Sequence, residues 1–78
     1  MTREIPLISG KKAIKVFLRL GYVQTRQRGS HVRMKHPSDP KRRPLTIPLH
    51  KELKIGLIKA LLADANISVD DFKELLSK

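Results

Sequence analysis

Two guanidinium groups, a glycine, a hydroxyl and an imidazole fall within six residues at Arg26-Gln27-Arg28-Gly29-Ser30-His31, with no carboxylate beside them. Arginine grips phosphate through a planar fork of donors. Glycine lets backbone approach a ligand closely or adopt positive φ. Histidine is the side chain best suited to moving protons near neutral pH. Together these groups can hold a phosphodiester and transfer a proton next to it. The plain alternative is a β-turn between two basic strands with a surface histidine, since short motifs recur by chance.

Several elements must position this hexapeptide. Ser9 is an N-cap candidate for a first helix, with Lys12 where a full capping box would place Glu. Ala13, Ile14, Phe17 and Leu18 recur at helical spacing, Val16 and Leu20 widen the stripe, and Gly21 ends the helix. Before it, Met1 to Ile8 read as a leader with a short extended piece at Ile5-Pro6-Leu7. Tyr22 to Arg28 reads as a strand with poor alternation, Gly29-Ser30 as the turn, and His31 to His36 as the returning strand. In that strand Val32 and Met34 point one way, and His31, Arg33 and Lys35 the other. His31 therefore falls on a solvent face beside two cations, available as a base.

Pro37 to Pro44 holds three prolines and reads as a turn-rich connection carrying Lys41-Arg42-Arg43 as a mobile basic tip. Leu45, Ile47 and Leu49 alternate with Thr46, Pro48 and His50 as a third strand; Pro48 cannot donate to a ladder, which predicts an edge or a strand end. A second helix is predicted within Lys51–Asn66, well formed from about Gly56, with Leu57, Ile58, Leu61, Leu62 and Ala65 on its apolar face. Ser68 caps a short third helix, with Ile67 and Phe72 spaced as a hydrophobic staple. The order predicts an α+β chain, a three-stranded antiparallel sheet with two helices packed on one face: α-β-β-β-α plus a short C-terminal helix. That layout resembles the double-stranded RNA-binding domain.

Composition points the same way. The 78 residues, read as one domain over 1–78, carry a net charge of +10. Between Ile5 and Lys51 stand twelve basic residues and one acidic residue, Asp39, whereas Glu52 to Lys78 is nearly balanced. A one-sided excess of this size implies a polyanion partner. There are no cysteines, so neither disulfides nor thiolate metal sites can staple the fold. No apolar run is long enough for a membrane span and no signal-peptide pattern is visible, which fits a cytoplasmic protein with no membrane partner.

The chain resembles the HicA family of mRNA interferase toxins of toxin–antitoxin pairs. The carrying residues are Ser9-Gly10-Lys11, Leu20-Gly21-Tyr22, the Arg26–His31 hexapeptide, His36-Pro37, Thr46-Ile47-Pro48 with His50, Lys51-Glu52-Leu53-Lys54-Ile55-Gly56-Leu57, and Ile67-Ser68. Their succession covers nearly the whole chain. The resemblance implies an endoribonuclease cleaving mRNA, a catalytic histidine that falls on His31, and a HicB-type antitoxin as partner. Two features depart from the family. Pro37–Pro44 replaces a short Asp-Gly turn, which bears on RNA preference or partner docking. Leu57 stands where Thr is frequent, which bears on helix capping.

RNA transesterification needs the 2′-hydroxyl deprotonated, the crowded phosphate stabilised and the 5′-oxygen protonated. His31 is the candidate base. Contacts to RNA fall to Arg26, Arg28, Gly29, Ser30, Arg33 and Lys35, and to Lys11 and Lys12 at the start of the first helix. The general acid is open between Lys35 and water. His36 and His50 read as shaping a strand end and a helix entry. Three histidines without cysteine at these separations make a poor metal set, so neither metal nor cofactor is expected. Tyr22 is the aromatic residue best able to stack on a base. A non-catalytic RNA-binding module explains charge and fold equally well, but not an exposed histidine between Gly29-Ser30 and Arg33. A ribosome-associated structural protein fits the acidic C-terminal end less well.

Overall fold

The computed structural model describes residues 5–78; Met1 to Glu4, the start of the expected leader, lie outside the described residues. The elements follow in the order α1 (Gly10–Leu20), β1 (Val23–Arg28), β2 (His31–Lys35), β3 (Leu45–Pro48), α2 (Ile55–Ala65) and α3 (Val69–Leu76). The strands form one antiparallel sheet in the order β1-β2-β3. This is the α+β layout of the double-stranded RNA-binding domain type.

Local chemistry sets the helix ends. Ser9 Oγ accepts from the Lys12 N–H at 3.1 Å, and Ser68 Oγ accepts from the Asp71 N–H at 3.0 Å. Gly21, at φ 110°, and Asn66, at φ 56°, take the left-handed conformation that closes α1 and α2. In each case the next residue donates back across the last turn: Tyr22 N–H to Phe17 O, and Ile67 N–H to Leu62 O. At the other end of α1, a Cβ built on Gly10 would fall on the Pro48 carbonyl oxygen. The Gly10 N–H also donates to His50 O at 2.9 Å, so only glycine lets α1 start against the end of β3.

The core lies on one face of the sheet. Val32 and Met34 from β2, and Leu45 and Ile47 from β3, join Ala13, Ile14, Val16 and Phe17 of α1, Ile58, Leu61, Leu62 and Ala65 of α2, and Phe72 of α3 in one cluster. Full burial of a side chain such as Val32 or Met34 is worth roughly 1.5–3 kcal/mol. Ile67 packs against the same cluster as Phe72, as the staple spacing predicts.

Some of these expectations are met and others corrected. Leu18 is exposed, whereas Val16, on the widened stripe, is fully buried, because α1 buries its face against both β3 and α3. Residues 5–8 lie outside any helix or strand, and Ile8 is buried, its carbonyl accepting from the Leu53 N–H at 2.8 Å. α2 begins at Ile55, next to Gly56 where the helix was expected to become well formed, and Lys51–Lys54 ahead of it are not helical. That non-helical turn drops Leu53 into the core, a burial that helical spacing did not predict. β3 ends at Pro48, the strand end that its missing donor predicts, so Leu49 lies beyond the strand and is only partly buried.

The Pro37–Pro44 connection is tied down rather than free. Arg42 Nη1 donates to Ala65 O at 2.7 Å at the C-terminal end of α2, where a cation meets unpaired carbonyls. Arg42 Nε also lies 3.2 Å from Asp39 Oδ2, and the Arg43 N–H donates to Asp64 O at 2.7 Å. Tyr22, buried beneath this loop, donates its hydroxyl to Arg43 O at 2.7 Å. His36 completes the clasp: Nδ1 accepts from the Asp39 N–H at 3.1 Å and Nε2 sits 3.0 Å from Leu20 O, with the ring edge-on to Tyr22. The histidine at the strand end is therefore structural, as its position suggests. Tyr22 is not available to stack on a base.

Candidate functional site

The β1–β2 hairpin turns through Gly29-Ser30, with Arg28 and His31 as the closing pair. Gly29 stands at φ 58°, the positive φ that a tight two-residue hairpin turn demands at its first position. The Ser30 carbonyl accepts from the Leu49 N–H at 2.7 Å, which anchors the turn to the end of β3. Along β2 the alternation is strict: Val32 and Met34 are buried, and His31, Arg33 and Lys35 are exposed. Residues directly opposite in a sheet share a face. Arg28 faces His31 and Arg26 faces Arg33, so four of the candidate residues gather on the outer face.

β1 itself alternates poorly because it carries a bulge. Gln24 pairs with Met34, and Arg26 with Arg33, so Thr25 is an extra residue between them. The bulge inverts the parity of the strand. On its C-terminal side Arg26 and Arg28 face outward, whereas on its N-terminal side Gln24 is opposite the buried Met34. All six residues of β1 are exposed, unlike β3 at the other edge of the sheet, which packs against α1 and α2.

Two clefts open on this face. One, of about 190 Å³, is lined by Arg26, Arg28, His31, Arg33 and Thr46. The other, of about 420 Å³, is lined by Thr25, Arg26, Arg33 and Lys35. No carboxylate lines either cleft. Arg33 is steadied on both sides: Nη1 reaches Thr46 Oγ1 at 3.4 Å, and its carbonyl accepts from Thr25 Oγ1 at 3.3 Å. The arrangement can bind phosphate oxygens with guanidinium donors and present an imidazole to a neighbouring hydroxyl.

Of the residues expected to touch RNA, Arg26, Arg28, Arg33 and Lys35 line the clefts together with His31. Gly29 and Ser30 form the turn beside them without lining either, and Lys11 and Lys12 lie exposed at the start of α1, also outside both linings. Thr46 and Thr25 were missed as site residues. Thr46 was legible as the outward position of β3, next to Arg33; Thr25 was hidden by the bulge. Among the described residues, no three His, Cys, Asp or Glu side chains gather as a metal site.

The family model of the HicA toxin of bacterial toxin–antitoxin systems matches residues 10–67. The chain belongs to the HicA toxin family. A toxin role within a toxin–antitoxin pair follows, and with it a HicB-type antitoxin as partner. HicA toxins are generally mRNA-cleaving. The match spans α1 through the end of α2 and Ile67, and so includes the whole sheet and both clefts. A search of curated proteins finds no match. Among the described residues of this HicA chain, no helix is long and apolar enough to cross a membrane.

Proposed function

We propose that this HicA toxin is an endoribonuclease that cleaves mRNA by metal-independent transesterification, with His31 as the general base. The observation that carries this reading is the smaller cleft, which sets an exposed imidazole among three guanidinium groups and no carboxylate. His31 takes the proton of a 2′-hydroxyl, and the 2′-oxygen attacks the adjacent phosphorus. Arg26, Arg28 and Arg33 hold the phosphoryl oxygens as charge builds on them. The P–O5′ bond breaks, and the leaving 5′-oxygen takes a proton from water or from the imidazolium. The products are a 2′,3′-cyclic phosphate and a 5′-hydroxyl. Lys35 lines the neighbouring cleft rather than that of His31, which favours water or the imidazolium as acid.

With mRNA as substrate, the toxin works in the cytoplasm. Its antitoxin docks with an acidic surface over His31, Arg28 and Arg33, so silencing and RNA binding compete for one face. Incubation of the purified protein with RNA in EDTA tests the activity in one gel. Breakdown to fragments with cyclic phosphate ends is expected. A shifted but intact band would make the chain a non-catalytic RNA-binding module instead.

A further inference from the structure

The larger cleft is not needed to explain a single cleaved phosphodiester. It shares Arg26 and Arg33 with the His31 cleft and adds Thr25 and Lys35, so the two form one furrow across β1 and β2. Its lining offers only a hydroxyl, two guanidinium groups and an ammonium group, none suited to moving a proton near neutral pH. The contents fit binding an anion without reacting with it.

The backbone is built to make this second cleft. In a regular strand, neighbouring side chains point to opposite faces. Thr25 and Arg26 are neighbours and nevertheless line the same cleft, because Thr25 is the bulged residue. Bulges re-aim side chains in this way next to functional sites. Thr25 spends its hydroxyl hydrogen on Arg33 O, and so shapes the cleft more than it binds in it. Arg33 uses one N–H toward Thr46 and keeps others for an anion on either side. Along β2, His31, Arg33 and Lys35 step about 6.6 Å apart on one face, comparable with the step between successive phosphates of an extended strand.

We propose that the cleft lined by Thr25, Arg26, Arg33 and Lys35 is a second phosphate subsite, which holds the RNA backbone phosphate next to the scissile one. This rests on the reading of His31 as the cleaving group. It makes the substrate a strand with at least one phosphate beyond the one cut, gripped by its backbone.

Mixed-sequence ribodinucleotides, bare or carrying an added 5′- or 3′-phosphate, test the subsite. For the parent protein, kcat/KM is expected to rise on the order of tenfold with one of the two added phosphates, as a charge-assisted contact would give. Lys35→Met, at an exposed position that carries no core packing, is expected to lose most of that gain. If the parent shows no gain, or the gain survives in Lys35→Met, the subsite is refuted while cleavage of the bare dinucleotide still supports His31. If Lys35→Met weakens only antitoxin binding, the cleft serves the protein partner and the subsite is likewise refuted. Absence of cleavage for every RNA tested, long transcripts included, would remove the reading beneath it.

Discussion

Arg26 of β1 and Arg33 of β2 stand directly opposite each other on the outer face of the sheet, and each lines both clefts. Like charges in register weaken a strand pair. Nothing acidic in the linings offsets this pair. An anion between them would offset the repulsion where a phosphate is proposed to sit.

Replacing His31 with Ala is expected to abolish RNA cleavage and leave the fold intact. The side chain is exposed, opposite in direction to the buried Val32 and Met34. Surface substitutions of this kind stay within about 0.5 kcal/mol of the parent. Thermal melts alongside a cleavage assay check both halves; a clear drop in melting temperature, or undiminished cleavage, contradicts the assignment.

RNA binding is expected to depend strongly on salt and weakly on sequence. Four cations line the furrow. Each phosphate neutralised on a single strand contributes a slope of about −0.7 to log K against log salt, which puts the total at roughly −2 to −3. Tyr22, Phe17 and Phe72 are all buried, so no phenyl or phenol ring is offered to stack on bases. Filter-binding titrations at several salt concentrations measure the slope, and a flat response is incompatible with the furrow.

Charge reversal by Arg28→Glu with Arg33→Glu is expected to weaken RNA and antitoxin together, each by at least about tenfold. Both residues line the His31 cleft. Calorimetry with each ligand reads the two losses separately. Loss of RNA affinity with antitoxin binding unchanged would place the antitoxin elsewhere, and silencing would then work at a distance.

Tyr22 gives a pH-dependent test of the clasp. Burial pushes its phenol above the usual 10.0, opposed by the nearby Arg42 and reinforced by Asp64 and Asp39. The unfolded chain therefore loses the proton first. Stability tied to this group is complete below pH 10 and falls as the pH rises through the folded-state value. As the chain has one tyrosine and no tryptophan, ultraviolet absorbance follows this group alone. Tyr22→Phe is expected to flatten the alkaline loss. At neutral pH it is expected to cost about 1 kcal/mol, through the hydroxyl bond to Arg43 O, as read by urea denaturation.

The sequence by itself determined whatever depends on neighbours in the chain. Ser9 and Gly21 bracket α1, Ser68 caps α3, and the period-two pattern of His31 to Lys35 turns the imidazole and two cations away from the core. These follow from capping chemistry and strand geometry, which act over a few residues. Most of the candidate site was legible on that basis, since His31, Arg33 and Lys35 share a strand.

Tertiary structure decided what depends on residues far apart. Whether Arg26 and Arg28 join His31 turns on the bulge at Thr25, which exists only once β1 is registered against β2. The basic loop is clasped because Arg42 reaches the carbonyl end of α2, 23 residues on in the chain. Tyr22 is withdrawn from the surface because that same loop closes over it and accepts its hydroxyl. Leu53 enters the core through a backbone bond to Ile8, where helical spacing offered no signal. Register, helix-end acceptors and burial are properties of the assembled chain. Composition and periodicity carry them only as possibilities until packing selects one.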